Sequence, residues 1–194
     1  VLAGKSRFFV MITHGWNAEG NSWPDALVQK MCTRFGGTVT AEPAASDNSI
    51  VGISSWCLKN CWMIASYNWN PFAALSTHPD GLIRGPTEAL ANAQRRGADM
   101  GLQLDGIGLR PKYAHLIGHS AGSGFVEELS GMLKKRVSGV RVHSTFLDAY
   151  CPTGTGCDYG KTADWAEQYV DRRTAGDGFL ELTNSPLEYG YSFD

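Results

Sequence analysis

Gly118-His119-Ser120-Ala121-Gly122 is the segment of this sequence whose residue types and spacing best support chemistry. An apolar run, Tyr113 to Ile117, leads into it, and a helical pattern from Ala121 to Val137 leads away, so a serine stands between a predicted strand and a predicted helix. On such a turn the hydroxyl is lifted above the sheet, and glycines two residues before and after it leave room where side chains would clash; Gly124 extends the small patch. The following helix aims free N–H groups and a partial positive charge at the turn, where they stabilise negative charge growing on a carbonyl oxygen. The chemistry expected is attack by Ser120 on an acyl carbon, giving a covalent acyl intermediate. A serine at this place argues against dehalogenase and epoxide-hydrolase reactions, which use a carboxylate nucleophile.

An activated serine needs a neutral imidazole to take its proton and a carboxylate to hold that imidazole. Asp148 closes the apolar run Val140 to Leu147 and is the expected acid, with Asp171, after a weaker run from Asp164 to Val170, as the alternative. The histidines are at 14, 78, 115, 119 and 143, all before Asp148. His119 adjoins the serine, where neighbouring side chains diverge, and is a poor base. His143 falls mid-strand and His78 on a loop, and both are weak substitutes.

Three segments resemble α/β-hydrolases, and within them lipases and esterases of the pancreatic type. Phe8-Phe9-Val10-Met11-Ile12-Thr13-His14-Gly15-Trp16 is similar to the strand and His-Gly-aromatic turn that furnish an oxyanion hole, and the Asn21-Ser22-Trp23 helix start fits with it. Ala114 to Gly122 resembles the nucleophile elbow, and Thr145-Phe146-Leu147-Asp148-Ala149 the strand end that bears the acid. The resemblance implies an α/β fold with a mainly parallel central sheet and helices on both faces. It also makes the backbone N–H groups of Trp16 and Ala121 the oxyanion hole, with His14, Gly15, Gly118, His119 and Gly122 shaping the turns. Chain order in such enzymes is serine, acid, histidine. No histidine follows Asp148. The expectation is therefore one domain over 1–194 that is incomplete at its C-terminal end, with the base on a later segment, which would also hold a partner for Cys32.

The elements must place these residues at one edge of a sheet. Arg7 to Thr13 reads as a buried parallel strand, and Ser22-Trp23-Pro24-Asp25 opens a helix that Gly36-Gly37 stops. Thr38 to Ser55 is irregular and carries no firm assignment. Cys61 to Trp69 reads as a strand, Asn70 to Gly85 as a flap, and Pro86 to Asp105 as a helix. Tyr189 to Asp194 looks like a further strand. Alternation of strand and helix predicts a parallel sheet whose site lies at the carboxyl ends of the strands. Trp16, Trp56, Trp62, Trp69 and Phe72 read as core first and acyl-pocket lining second; the flap and the Cys151–Cys157 loop are the candidate lids.

A hydrophobic share of 43 % against 19 % charged is that of a globular domain and sets disordered and fibrous classes aside. A net charge of −2 without charge runs gives no footprint for nucleic acid or an anionic membrane. The expected partner is a small ester or lipid, and no cofactor or metal is called for. No apolar run reaches membrane-span length, and Val1 to Ser6 lacks signal-peptide character. Pairs Cys57–Cys61 and Cys151–Cys157 are spaced for local disulfides, which implies an oxidising, secreted or periplasmic setting. The same machinery serves acyltransferases, thioesterases and peptidases, and a silent lipid- or protein-binding scaffold is the competing reading from another class.

Overall fold

The computed structural model describes residues 6–16, 22–41, 51–70, 81–153, 157–171, 183 and 185–194. The strands are β1 (Phe8–Thr13), β2 (Thr40–Ala41), β3 (Ile53–Lys59), β4 (Trp62–Tyr67), β5 (Tyr113–His119), β6 (Arg141–Leu147), β7 (Trp165–Tyr169) and β8 (Tyr191–Phe193). The long helices are α1 (Ser22–Arg34), α2 (Gly81–Gly106) and α3 (Gly122–Arg136). They form an α/β structure around one sheet of order β2-β3-β4-β1-β5-β6-β7-β8. From β4 to β8 every pairing is parallel, while β2–β3 and β3–β4 are antiparallel.

Period-two alternation splits the central strands between two cores. Val10 and Ile12 of β1 pack with Val28 of α1, whereas Phe9 and Met11 belong to the larger core with Phe125, Val126 and Leu129 of α3. Helices therefore cover both faces, α1 on one and the α2–α3 pair on the other. Crowding between that pair is severe: a Cβ at Gly97 would stand 2.3 Å from the Phe125 carbonyl oxygen, and one at Gly101 would stand 2.4 Å from Met132 Cβ. Asp25, at the start of α1, accepts hydrogen bonds from the hydroxyls of Ser54 (2.7 Å) and Ser66 (2.5 Å), which moors the helix to β3 and β4.

Several expectations need correction. Ile53 to Lys59, which begins inside the segment given no firm assignment, is a full strand that makes a hairpin with β4. Helix α2 begins five residues before Pro86, because the residue ahead of that proline is Gly85, which has no Cβ to clash with the proline ring. The disulfide pairing Cys57–Cys61 is wrong. Cys57 is buried on β3 and bonds Cys32 of α1, with Cα atoms 6.1 Å apart, while Cys61 sits at φ +67° in the hairpin turn, exposed and reduced. Cys57 lies opposite Ile64 in the hairpin register while Cys61 is in the turn, so proximity in sequence did not bring the two thiols together; Cys32 thereby finds its partner within the chain. Cys151–Cys157 forms as expected. Among the described residues no helix is long and apolar enough to cross a membrane.

Candidate active site

Ser120 follows β5 directly and holds φ +49°, a left-handed value that costs an L-residue roughly 1–2 kcal/mol. Its N–H donates to the Leu147 carbonyl (2.9 Å), extending the ladder to β6 by one residue, and its own carbonyl accepts from Ser123 N–H (3.0 Å), which opens α3. Glycine is required on both sides. A Cβ at Gly118 would lie 2.7 Å from the Gly122 carbonyl oxygen, and one at Gly122 would lie 2.4 Å from the His14 carbonyl oxygen. From the other side, a Cβ at Gly15 would stand 2.8 Å from Ser120 Cβ. The turn after β1 and the turn after β5 are thus pressed together backbone to backbone, and side chains there would force them apart.

Ala121 is fully buried, with helical angles and no side-chain cap on α3, so no side chain claims the first N–H groups of that helix. Trp16 comes right after the Gly15 contact, and its indole packs on Gly85 of α2, 3.1 Å from a Cβ placed there. His14 is wholly buried. Its Nδ1 donates to the Gly15 carbonyl (2.8 Å), Nε2 accepts from Trp69 N–H (3.3 Å), and the ring stacks on Trp69 at 5.3 Å. Burial holds its pKa below the ordinary value, outweighing the Gly15 carbonyl and the nearby Asn68 oxygen, both of which favour the charged form. The Trp69 indole N–H donates to the His14 carbonyl (3.0 Å), so Trp69 is core and holds the turn after β1 in shape. Trp62 stacks between Phe8 and Phe35 at the opposite end of the strands from Ser120 and takes no part in the serine site. Phe72, His78 and most of the flap, with part of the Cys151–Cys157 loop, lie outside the described residues.

Asp148 stands one strand over. His119 and Leu147 are register partners on β5 and β6, so Ser120 and Asp148 are the next residues on neighbouring strands. Asp148 also holds a left-handed φ, +47°. Its N–H donates to Tyr169 O (2.9 Å), and its Oδ1 accepts from the Asp171 N–H (2.7 Å). Asp171 therefore meets Asp148 through its backbone, from the end of β7. Between them opens a cavity of about 630 Å³ lined by Trp23, His119, Asp148, Tyr169 and Asp171 among others. His119 meets Trp23 edge to face at 6.3 Å, and burial lowers its pKa despite the neighbouring Asp148 charge.

No protein-family model matches this chain, and no curated protein matches it. The site must be read from its own geometry. A serine and a carboxylate stand at adjacent parallel strand ends, beside an uncapped helix start and a glycine-lined turn, and an arrangement of that kind can hold an acyl group over the serine. Among the described residues no histidine is bonded to both Ser120 and Asp148: His14 is fully engaged with the turn, and His115 and His143 lie mid-strand on β5 and β6. Sequence reasoning missed the lock formed by Asn68 and Trp69 around His14. Their signal was faint, since they stand after a strand end with no motif around them.

Proposed function

We propose that the chain is a serine hydrolase of carboxylic esters with an α/β-hydrolase fold of the pancreatic-lipase type, acting through an acyl-enzyme on Ser120. The observation that carries this reading is the left-handed Ser120, held between Gly118 and Gly122 against the Gly15 turn. Strain of this kind clusters at functional sites, and here a glycine would satisfy the same backbone without cost while removing the hydroxyl. In this mechanism the Ser120 hydroxyl adds to the ester carbon, an imidazole takes its proton, and the resulting oxyanion is met by the N–H groups of Trp16 and Ala121. Each such donor contributes about 3–4 kcal/mol to the transition state. The alcohol leaves with the proton, and water repeats the sequence on the acyl-enzyme.

Asp148 is the acid because it follows the strand next to the serine, while Asp171 spends its backbone N–H on orienting the Asp148 carboxylate. In this mechanism the imidazole stands between Ser120 and Asp148, and the cavity that borders Asp148 offers it room on the acid's side. A secreted or periplasmic setting fits the two disulfides.

The absence of a histidine bonded to both residues, among those described, favours a second reading: a hydrolase-like scaffold that binds an ester or lipid without cleaving it. Labelling with a fluorophosphonate and turnover of nitrophenyl esters separate the two. Hydrolysis and labelling that vanish in Ser120→Ala support the enzyme. Saturable ester binding with neither labelling nor turnover supports the scaffold.

A further inference from the structure

Over β5, β6 and β7 the sheet face that carries α1 presents a polar cluster unrelated to the serine. Parallel register makes His115 and His143 direct neighbours on β5 and β6, and Thr145 and Glu167 direct neighbours on β6 and β7 one pleat further on. All four side chains share one face, because residues two apart on a strand do. The imidazoles stack at 4.1 Å and 3°, and one ligand atom from each of His115, His143 and Glu167 falls within 4.8 Å of the others. Thr145 Oγ1 lies 2.8 Å from His115 Nε2 and donates to Glu167 Oε1 at 3.0 Å.

His143 Nε2 is the unsatisfied member. That atom is shielded from solvent although the side chain is 34 % exposed, and it lies 3.2 Å from Glu167 Oε1 without a hydrogen bond to any of the described residues. A buried ring nitrogen without a partner is costly unless something else satisfies it. We propose that His115, His143 and Glu167 bind a divalent transition-metal ion of the zinc class, tying β5, β6 and β7 together on this face.

Two imidazoles and one carboxylate form a donor set that suits zinc and leaves a coordination position for water. Zinc bonds of about 2.0–2.1 Å require the donors to draw in by roughly an ångström, which side-chain rotation on a half-exposed face supplies. On binding, His115 carries its proton on Nδ1, so that Nε2 turns from donor to ligand, and Thr145 continues to donate to Glu167. The open position faces a groove of about 580 Å³ walled by Phe8, Trp62, Tyr113 and Trp165. His115 precedes Ser120 by five residues on the same strand, roughly 16 Å, so this centre is separate from the serine.

Calorimetric titration of the chelator-stripped chain with zinc chloride tests the proposal, with cobalt(II) visible spectra reporting the ligands. One saturable site is expected, with a higher Tm when loaded and histidine-ligated cobalt bands. Glu167→Gln and His143→Ala, checked for folding by circular dichroism, should weaken it at least about tenfold, and Cys61→Ser should leave it unchanged. No saturable binding, or equal binding by the folded variants, overturns the site. Should the variants not fold, wild-type crystals soaked in zinc decide: an anomalous peak between His115 and His143 upholds it, and a peak elsewhere or none refutes it.

Discussion

At Ser120 the backbone angle and the chemistry pull in opposite directions. Glycine adopts φ near +49° freely, so Ser120→Gly should raise stability by about 1 kcal/mol while abolishing fluorophosphonate labelling. Ser120→Ala should lose the label without that gain, and urea unfolding of the two variants would show the difference. Gly122 behaves in the reverse sense. Its missing Cβ is what lets α3 approach the His14 carbonyl, so Gly122→Ala should cost about 1–3 kcal/mol and lower labelling with it. The cavity beside Asp148 also admits a small base. Free imidazole should therefore accelerate ester hydrolysis by the wild-type chain above the rate it gives with Ser120→Ala, measured as the difference between two progress curves.

Between elements, the closest approach is the crossing of α2 and α3. Gly97→Ala would drive a methyl into the Phe125 carbonyl and should destabilise by about 2 kcal/mol, whereas Gly106→Ala, with nothing within 4 Å, should be neutral or slightly stabilising. Thermal melts of the pair would test this. The two disulfides should differ in worth as well. Cys32–Cys57 closes 25 residues and Cys151–Cys157 closes 6, so chain entropy assigns them about 3.5 and about 2 kcal/mol. The Cys32→Ala/Cys57→Ala double variant should accordingly melt below the Cys151→Ala/Cys157→Ala variant, since the first bridge closes the longer loop and ties α1 to β3.

Across the whole molecule, three histidines share one direction of shift. Burial holds His14, His115 and His119 below their ordinary value, with His115 at about 4. Between that value and about 6.5 the unfolded chain binds more protons than the folded one, so stability rises with pH through this window and is lost as pH falls through it. His115 alone accounts for a loss on the order of 3 kcal/mol, with His143 opposing and Glu167 favouring its protonation. Urea midpoints taken in chelator from about pH 7 to about pH 4.5 should fall, and His115→Gln should flatten the decline. A steepness unchanged by that substitution would place the acid sensitivity elsewhere. The same open face exposes Trp165, Tyr169, Tyr191 and Phe193, stacked in cross-strand pairs over β7 and β8.

Apolar runs bounded by turn residues made β1, β5 and β6 legible in the sequence, because β1 is buried on both faces and β5 and β6 keep one face buried throughout. The elbow was legible for a related reason: two glycines around a serine at a strand-to-helix junction meet a local steric demand that few other sequences satisfy. Strand β3 was not, since Ile53 to Lys59 pairs at an antiparallel margin where only some positions are buried and the alternation is weak. Sequence spacing also misassigned Cys57, whose partner was fixed by which face of β3 meets α1 and not by the nearest thiol along the chain. The residue types of the site, Ser120 with Asp148, could be named from sequence because each sits at a strand end that local pattern locates. That the two ends are neighbours, that the Gly15 turn closes on the elbow, and that His115, His143 and Glu167 converge depend on the order and register of the strands. Those are set by long-range packing, in which residues far apart in the chain are brought to one pleat, and no local preference encodes them.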